Sequence, residues 1–196
     1  MIGEAARAAV ADRGDFSLAL SGGSSPLRMF ELLLDQEIDW SATDVFQVDE
    51  RVAPDGDQDR NLTHMLEHLP PAAAERLRPM PVTDDDLDAA AARYEASLPD
   101  SVDIVHLGLG PDGHTASLVP GDPVLDVTDR RVALTGGEYE GRRRMTFTYP
   151  ELAMARKLFW LVDPGKDDAL AKLLAGDPSI PAGRVEARDA LVIAER

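Results

Sequence analysis

The stretch HLGLGPDGHTASLVPG, residues 106–121, decides how this chain is to be read. It begins inside a β-branched and leucine-rich run, Val102 to Leu109, that predicts a buried strand. It then passes two glycine turns and reaches Thr115 to Leu118, where the pattern predicts the start of a helix. His114 therefore falls at a strand-to-helix corner, and in open α/β sheets such corners, at the carboxyl ends of strands, are where ligands bind. A helix N-terminus favours a neutral imidazole able to accept a proton, and neighbouring carboxylates would orient the ring. From this loop alone, His114 reads equally well as a histidine that merely caps a helix.

Outward from that corner the same alternation repeats. Phe16 to Leu20 predicts a strand, SGGSSP (residues 21–26) a tight loop, and Leu27 to Leu34 a helix with Pro26 in its first turn. Asp44 to Val48 predicts a second strand ending in Asp49-Glu50-Arg51, followed by an acidic loop and a helix from about Arg60 to Leu69. Leu87 to Leu98 is an alanine-rich helix. Beyond residue 121 the pattern predicts short strands at Arg131 to Leu134 and Met145 to Thr148 and a helix near Glu151 to Arg156. It continues with a strand at Leu158 to Val162, a helix from Lys166 to Leu174 and a last strand at Ala190 to Ala194. Strands alternating with helices imply a mostly parallel sheet covered on both faces, although strand order is not readable this way.

Composition narrows the function classes. With 196 residues and 44% hydrophobic content the chain can bury an independent core, and it reads as one domain. No apolar run approaches the ~18 residues of a membrane span, and the N-terminus lacks the pattern of a signal peptide. A formal net charge of −16 disfavours nucleic acid and anionic membranes as partners. Without cysteine the chain has no disulfide or thiolate chemistry, and the simplest compartment is the cytoplasm. Only three lysines occur, Lys157, Lys166 and Lys172, so a phosphate pocket must gather scarce cations locally.

Several constellations compete for a role. In the loop Ser21 to Pro26, Gly22 and Gly23 let backbone N–H groups approach an anion, and Ser24 and Ser25 add hydroxyl donors; an ordinary glycine turn with a serine cap reads the same. Gly108 to Gly113 spells G-x-G-x-x-G, but Asp112 and the N–H-less Pro111 are poor choices beside a pyrophosphate, and the dinucleotide reading is set aside. His64 to His68 matches H-x-x-E-H without a marked third ligand, so a zinc site is not expected. His106, inside a strand, reads as structural. Asp49 and Arg51 could supply a second carboxylate and a cation for a substrate phosphate, or form a surface ion pair.

Taken together and in this order, the glycine-serine loop, the Asp49-Glu50-Arg51 strand end and the GLGPDGHTAS segment resemble the 6-phosphogluconolactonase family. The likeness extends through Asn61, the Arg144-Met145-Thr146 strand with Pro150, the Gly165-Lys166 helix start and Asp177 to Pro181, and so covers almost the whole chain. It implies a single α/β domain over residues 1–196, Rossmann-like, with a mostly parallel sheet and helices on both faces, of the glucosamine-6-phosphate deaminase/ribose-5-phosphate isomerase type. Family members begin with a further strand and helix, whereas here one helix, Glu4 to Arg13, precedes Phe16. Glucosamine-6-phosphate deaminases share the D-G-H segment but carry a relay glutamate five residues after the histidine; that position is Val119 here.

The resemblance implies hydrolysis of 6-phospho-D-glucono-1,5-lactone to 6-phosphogluconate, the second step of the oxidative pentose phosphate pathway, without metal or redox cofactor. His114 is then the expected general base, with Asp49 orienting water or imidazole. Backbone N–H groups of Gly110 or Gly113 are expected at the oxyanion. Gly22, Gly23, Ser24, Ser25, Arg51 and Lys166, with Arg144 next and Asp112 in the histidine loop, are expected to hold the substrate. An amino-sugar-phosphate deaminase or isomerase and a non-catalytic sugar-phosphate sensor are the rival readings, and a monomer or weak homo-oligomer is expected.

Overall fold

The computed structural model describes residues 1–23 and 26–195; Ser24 and Ser25, expected in the phosphate loop, lie outside the described residues. The chain opens with α1 (Ile2–Arg13), which Gly14 ends in the left-handed conformation at φ 86 that favours glycine. It continues through β1 (Phe16–Leu20), α2 (Leu27–Leu33), β2 (Thr43–Gln47), β3 (Asp49–Arg51), α3 (Asn61–His68), α4 (Pro71–Ala74) and β4 (Leu77–Arg78). Then come α5 (Leu87–Ser97), β5 (Ile104–Gly108), β6 (Val132–Leu134), β7 (Arg144–Phe147), α6 (Tyr149–Met154), β8 (Lys157–Val162), α7 (Asp167–Ala175) and β9 (Ala190–Ala194). No described helix is long and apolar enough to cross a membrane.

Six strands form one parallel sheet in the order β4-β2-β1-β5-β8-β9. Every residue of β1 is buried, which is why the strand reads as a continuous apolar run and not as an alternation. The pleat nevertheless sorts it. Phe16, Leu18 and Leu20 pack with α1, α2 and Met65 of α3, whereas Ala19 joins the opposite core with α5, α6 and Trp160. Burying each large side chain of this kind contributes roughly 1.5–3 kcal/mol, so the two half-cores clamp the sheet from both faces.

The expected strands 131–134 and 145–148 exist, as β6 and β7, but outside the parallel sheet. They form a separate antiparallel sheet with β3, in the order β3-β7-β6, over the second half-core. Asp49-Glu50-Arg51 is therefore not the end of β2 but a strand of its own. Val48 makes the transfer: its N–H donates to Leu20 O at 3.0 Å in the large sheet, and its carbonyl accepts from Phe147 N at 2.8 Å in the small one. Sequence periodicity cannot register such a change of sheet, because both halves remain extended. Leaving β1, the chain steps to β2 on one side, and β5 lies on the other; this reversal is the topological switch point where a ligand crevice opens. The loop after β1 and the loop after β5 both emerge there.

Candidate active site

The small sheet places its polar residues by parity. Asp49 and Arg51 share one face, and their register partners on β7 are Thr146 and Arg144. Glu50, between them, turns the other way and is fully buried. Its carboxylate accepts from the backbone N–H groups of Arg51 (2.7 Å), Asn61 (2.8 Å) and Leu62 (2.8 Å), from Gln47 Nε2 (3.0 Å), and pairs with Arg60 Nε at 3.0 Å. Glu50 thus caps α3 and fixes its first residue, Asn61, beside β3. Asn61 Nδ2 in turn donates to Asp49 O (2.9 Å) and Asp49 Oδ1 (3.3 Å), and its Oδ1 accepts from Arg51 Nη1 at 2.5 Å. Asp49 is buried, and its other oxygen accepts from Ser117 Oγ at 2.6 Å.

The histidine loop differs from expectation: no helix follows His114. Ala116 has φ 49, Leu118 N donates to Thr115 O at 2.9 Å, and Thr115 Oγ1 donates to Gly108 O at 3.0 Å, so the segment closes as a tight turn. Ser117 N donates to Thr146 Oγ1 at 3.1 Å, which ties the turn to the small sheet. Pro120 and Gly121 leave no length for a helix. The orientation of His114 therefore owes nothing to a helix dipole. Asp112 supplies it: Asp112 Oδ1 lies 2.6 Å from His114 Nδ1 and 3.1 Å from His114 N. A carboxylate only accepts, so Nδ1 carries the proton and Nε2 keeps its lone pair. Burial works to raise the Asp112 carboxyl, but the His114 N–H groups and the Tyr139 hydroxyl outweigh it and hold it below the usual carboxylate range.

Neither expected oxyanion donor is available. Gly110 N donates to His114 O at 2.9 Å and Gly113 N to Gly110 O at 3.0 Å. Both glycines serve close approach instead. A Cβ on Gly110 would lie 2.1 Å from His114 Nδ1, and one on Gly113, at φ +83, would lie 2.4 Å from Ile180 Cβ. The glycines let the loop fold tightly under the imidazole.

A cleft of about 210 Å³ brings together Gly22, Gly23, Asp49, Arg51, Gly110, His114, Arg144 and Lys166, from the loops after β1 and β5, the small sheet and the start of α7. Asn61 and Asp163 line it as well; Asp112 and Gly113 do not, and support it from behind. A second cavity of about 370 Å³ shares Gly23, Arg51 and Arg144 and adds His64 and Arg142. Arg51 and Arg144 are direct cross-strand partners, a like-charge pairing that by itself destabilises a sheet. The Nε atoms of both are buried and find no partner among the described residues. Lys166 adds a third cation, paired with Asp163 at 2.9 Å. Arg144 Nη2 also pairs with Glu140 at 2.9 Å, so the cleft gathers three cations, two of them paired with carboxylates, in a chain of formal net charge −16.

The other histidines fall away. His106 is fully buried, accepts from Ser21 N at 3.3 Å through Nδ1, and burial pushes it down to about 3. His64 Nε2 lies 2.8 Å from Gln58 O and His68 Nδ1 2.8 Å from His64 O, so both rings are spent on carbonyls. Among the described residues no three His, Cys, Asp or Glu side chains converge as metal ligands. Ser117, Thr146 and Tyr139 were not foreseen. Ser117 sits three residues after His114 and Thr146 two after Arg144, so spacing could have suggested them; nothing local marks Tyr139, which a loop brings in from 25 residues away.

A family model described as glucosamine-6-phosphate isomerases/6-phosphogluconolactonase matches residues 1–193. The 6-phosphogluconolactonase of Mycobacterium tuberculosis is 37% identical over 213 residues, spanning 96% of this chain and 86% of that protein. That of Rhizobium meliloti is 40% identical over 182 residues, spanning 87% and 78%. Among solved structures, the 6-phosphogluconolactonase of Thermotoga maritima superposes with a TM-score of 0.87 at 24% identity, covering 99% of this chain and 92% of that one. A monomeric glucosamine-6-phosphate deaminase superposes at 0.79 with 18% identity, covering 98% and 92%; both likenesses bear on the fold. The chain belongs to the glucosamine-6-phosphate isomerase/6-phosphogluconolactonase family.

Proposed function

We propose that this chain hydrolyses 6-phospho-D-glucono-1,5-lactone to 6-phosphogluconate, with His114 as general base. The observation that carries the reading is one cleft holding an imidazole whose Nδ1 carries the proton, so that Nε2 keeps its lone pair, and, on the neighbouring small sheet, two directly opposed arginines whose buried Nε atoms find no partner among the described residues. The arginines, with Lys166, Gly22 and Gly23, take the phosphate, and the lactone carbonyl lies toward His114. His114 Nε2 removes a proton from water as the oxygen bonds to C1. The tetrahedral adduct collapses, the C1–O5 bond breaks, and the departing O5 takes the proton back from Nε2. The resulting carboxylic acid then ionises. Asp49, fixed by Ser117 and Asn61, orients the water or a sugar hydroxyl. We place this step in the oxidative pentose phosphate pathway, in the cytoplasm, with the enzyme a monomer or weak homo-oligomer.

Val119 supports hydrolysis over deamination, because the position where a deaminase relay needs a glutamate is a buried apolar side chain. The test is lactone hydrolysis above the spontaneous rate, coupled to 6-phosphogluconate dehydrogenase, beside ammonia release from glucosamine 6-phosphate. Acceleration of the first alone is expected. Binding of 6-phosphogluconate without acceleration would return the sensor reading, and ammonia release the deaminase.

A further inference from the structure

Tyr139 lies on the loop joining β6 to β7, outside every motif named above, yet it touches both halves of the cleft. Its hydroxyl is 3.2 Å from Asp112 Oδ2 and 3.3 Å from His114 Nδ1. Nδ1 already gives its proton to Asp112 Oδ1 and has no lone pair to offer, so the hydroxyl donates to Oδ2. Both oxygens of Asp112 are thereby occupied, one by the base and one by Tyr139. The Tyr139 ring meets the imidazole edge-on, centroids 5.2 Å apart, and the Arg144 guanidinium carbon lies 5.0 Å from the ring centroid. Arg144 Nη2 also donates to Tyr139 O at 3.2 Å. The loop itself is pinned: Asp122 accepts from Gly136 N (2.9 Å) and Gly137 N (3.0 Å), and Tyr139 N donates to Arg142 O at 3.0 Å.

We infer that Tyr139 is a positioning residue, whose hydroxyl holds Asp112 in the rotamer that keeps His114 in its Nδ1–H form and whose ring ties that lock to the anion-holding Arg144. The kinetic part rests on the lactonase reading; the tautomer part does not. Burial and the Asp112 charge both raise the Tyr139 phenol, so it remains a donor through the neutral range. Without that hydroxyl, Asp112 Oδ1 keeps its bonds to His114 N and Nδ1 but Oδ2 loses its anchor, so the carboxylate rotates more freely about χ2; a histidine whose Nδ1 acceptor is loosened reverts in part to the Nε2–H form, which cannot take a proton from water at Nε2.

The experiment is Tyr139→Phe, which keeps the ring beside Arg144 and removes only the hydroxyl, with Tyr139→Leu removing both. For Tyr139→Phe we expect kcat to fall about tenfold with KM nearly unchanged, the loss of one hydrogen bond to a charged group. Tyr139→Leu should lose kcat similarly and raise KM as well, because Arg144 loses its stacking partner. In ¹⁵N-histidine NMR spectra of the ligand-free protein, His114 should show the Nδ1–H tautomer in the parent and a clear Nε2–H fraction in both variants. An unchanged tautomer overturns the inference whatever the kinetics, and so does a Tyr139→Phe kcat within about twofold of the parent. Should the parent prove inactive on the lactone, the functional reading fails while the ¹⁵N spectra still decide the role of Tyr139.

Discussion

Gly22→Ala is the perturbation whose sign the structure decides most sharply. The backbone of Gly22 lies outside the left-handed region, and at such a position an added methyl ordinarily stabilises by about 0.4–1 kcal/mol, by restricting the unfolded chain. Here the methyl carbon would lie 2.1 Å from Asn61 Oδ1, 2.2 Å from Asn61 Cγ and 2.7 Å from Asn61 Cβ. Asn61 is buried and cannot yield without releasing Asp49 and Arg51. The bond to the arginine contributes about 1.5–3 kcal/mol and the one to the Asp49 carbonyl about 1, so steric cost outweighs the entropic gain and the net loss is about 3 kcal/mol. For a chain of this size that lowers Tm by about 6–12 °C. KM for the lactone should also rise, since Arg51 loses an anchor. The assay is thermal and urea unfolding of Gly22→Ala, of Asn61→Gly, which removes all three clashing atoms, and of the double variant. In the Asn61→Gly background the added methyl should cost little, giving a coupling of about 2–3 kcal/mol. Gly108→Ala, with nothing among the described residues within 4 Å of the added carbon, is the control and should be neutral or stabilising. A Gly22→Ala protein as stable as the parent, or a coupling near zero, refutes the reasoning.

His114→Ala should lower kcat by ~10²- to 10⁴-fold while 6-phosphogluconate, followed by calorimetry, still binds, because the phosphate cations are untouched. Lys166→Ala should chiefly raise KM in the coupled lactone assay; an unchanged KM would remove this lysine from the phosphate site. His106 sets a pH prediction. Its folded pKa is lowered to about 3 by burial, below the ~6.5 of an unfolded histidine, so from pH 6.5 down to 3 the unfolded chain binds the extra proton. Its contribution, on the order of 5 kcal/mol, is complete above pH 6.5 and is lost on acidification through that window. Urea midpoints measured from pH 3 to 7 should slope less for His106→Gln than for the parent, and equal slopes would count against the assignment.

Sequence alone determined most of the elements and the residue types that their ends carry. β1 and β5 declare themselves as apolar runs because both sheet faces are covered, and the loops that follow them break those runs with glycines, serines and His114. What sequence could not settle was association. Asp49-Glu50-Arg51 continues the extended pattern of Asp44 to Val48, so nothing local reveals that Val48 hands the chain to another sheet; only the pairing with Arg144 to Phe147 does. That transfer opposes Arg51 to Arg144 and buries Glu50 as the cap of α3. The expected helix after His114 failed for a related reason. Thr115 spends its hydroxyl on Gly108, across the loop, and Ser117 on Asp49, 68 residues away, and these bonds outweigh the weak helical preference of four residues. His114 is thus oriented by Asp112 and Tyr139, not by a dipole. Residue types and their local spacing are properties of the chain; which charges face one another across a cleft depends on strand register and loop closure, and those energies arise only when distant segments meet.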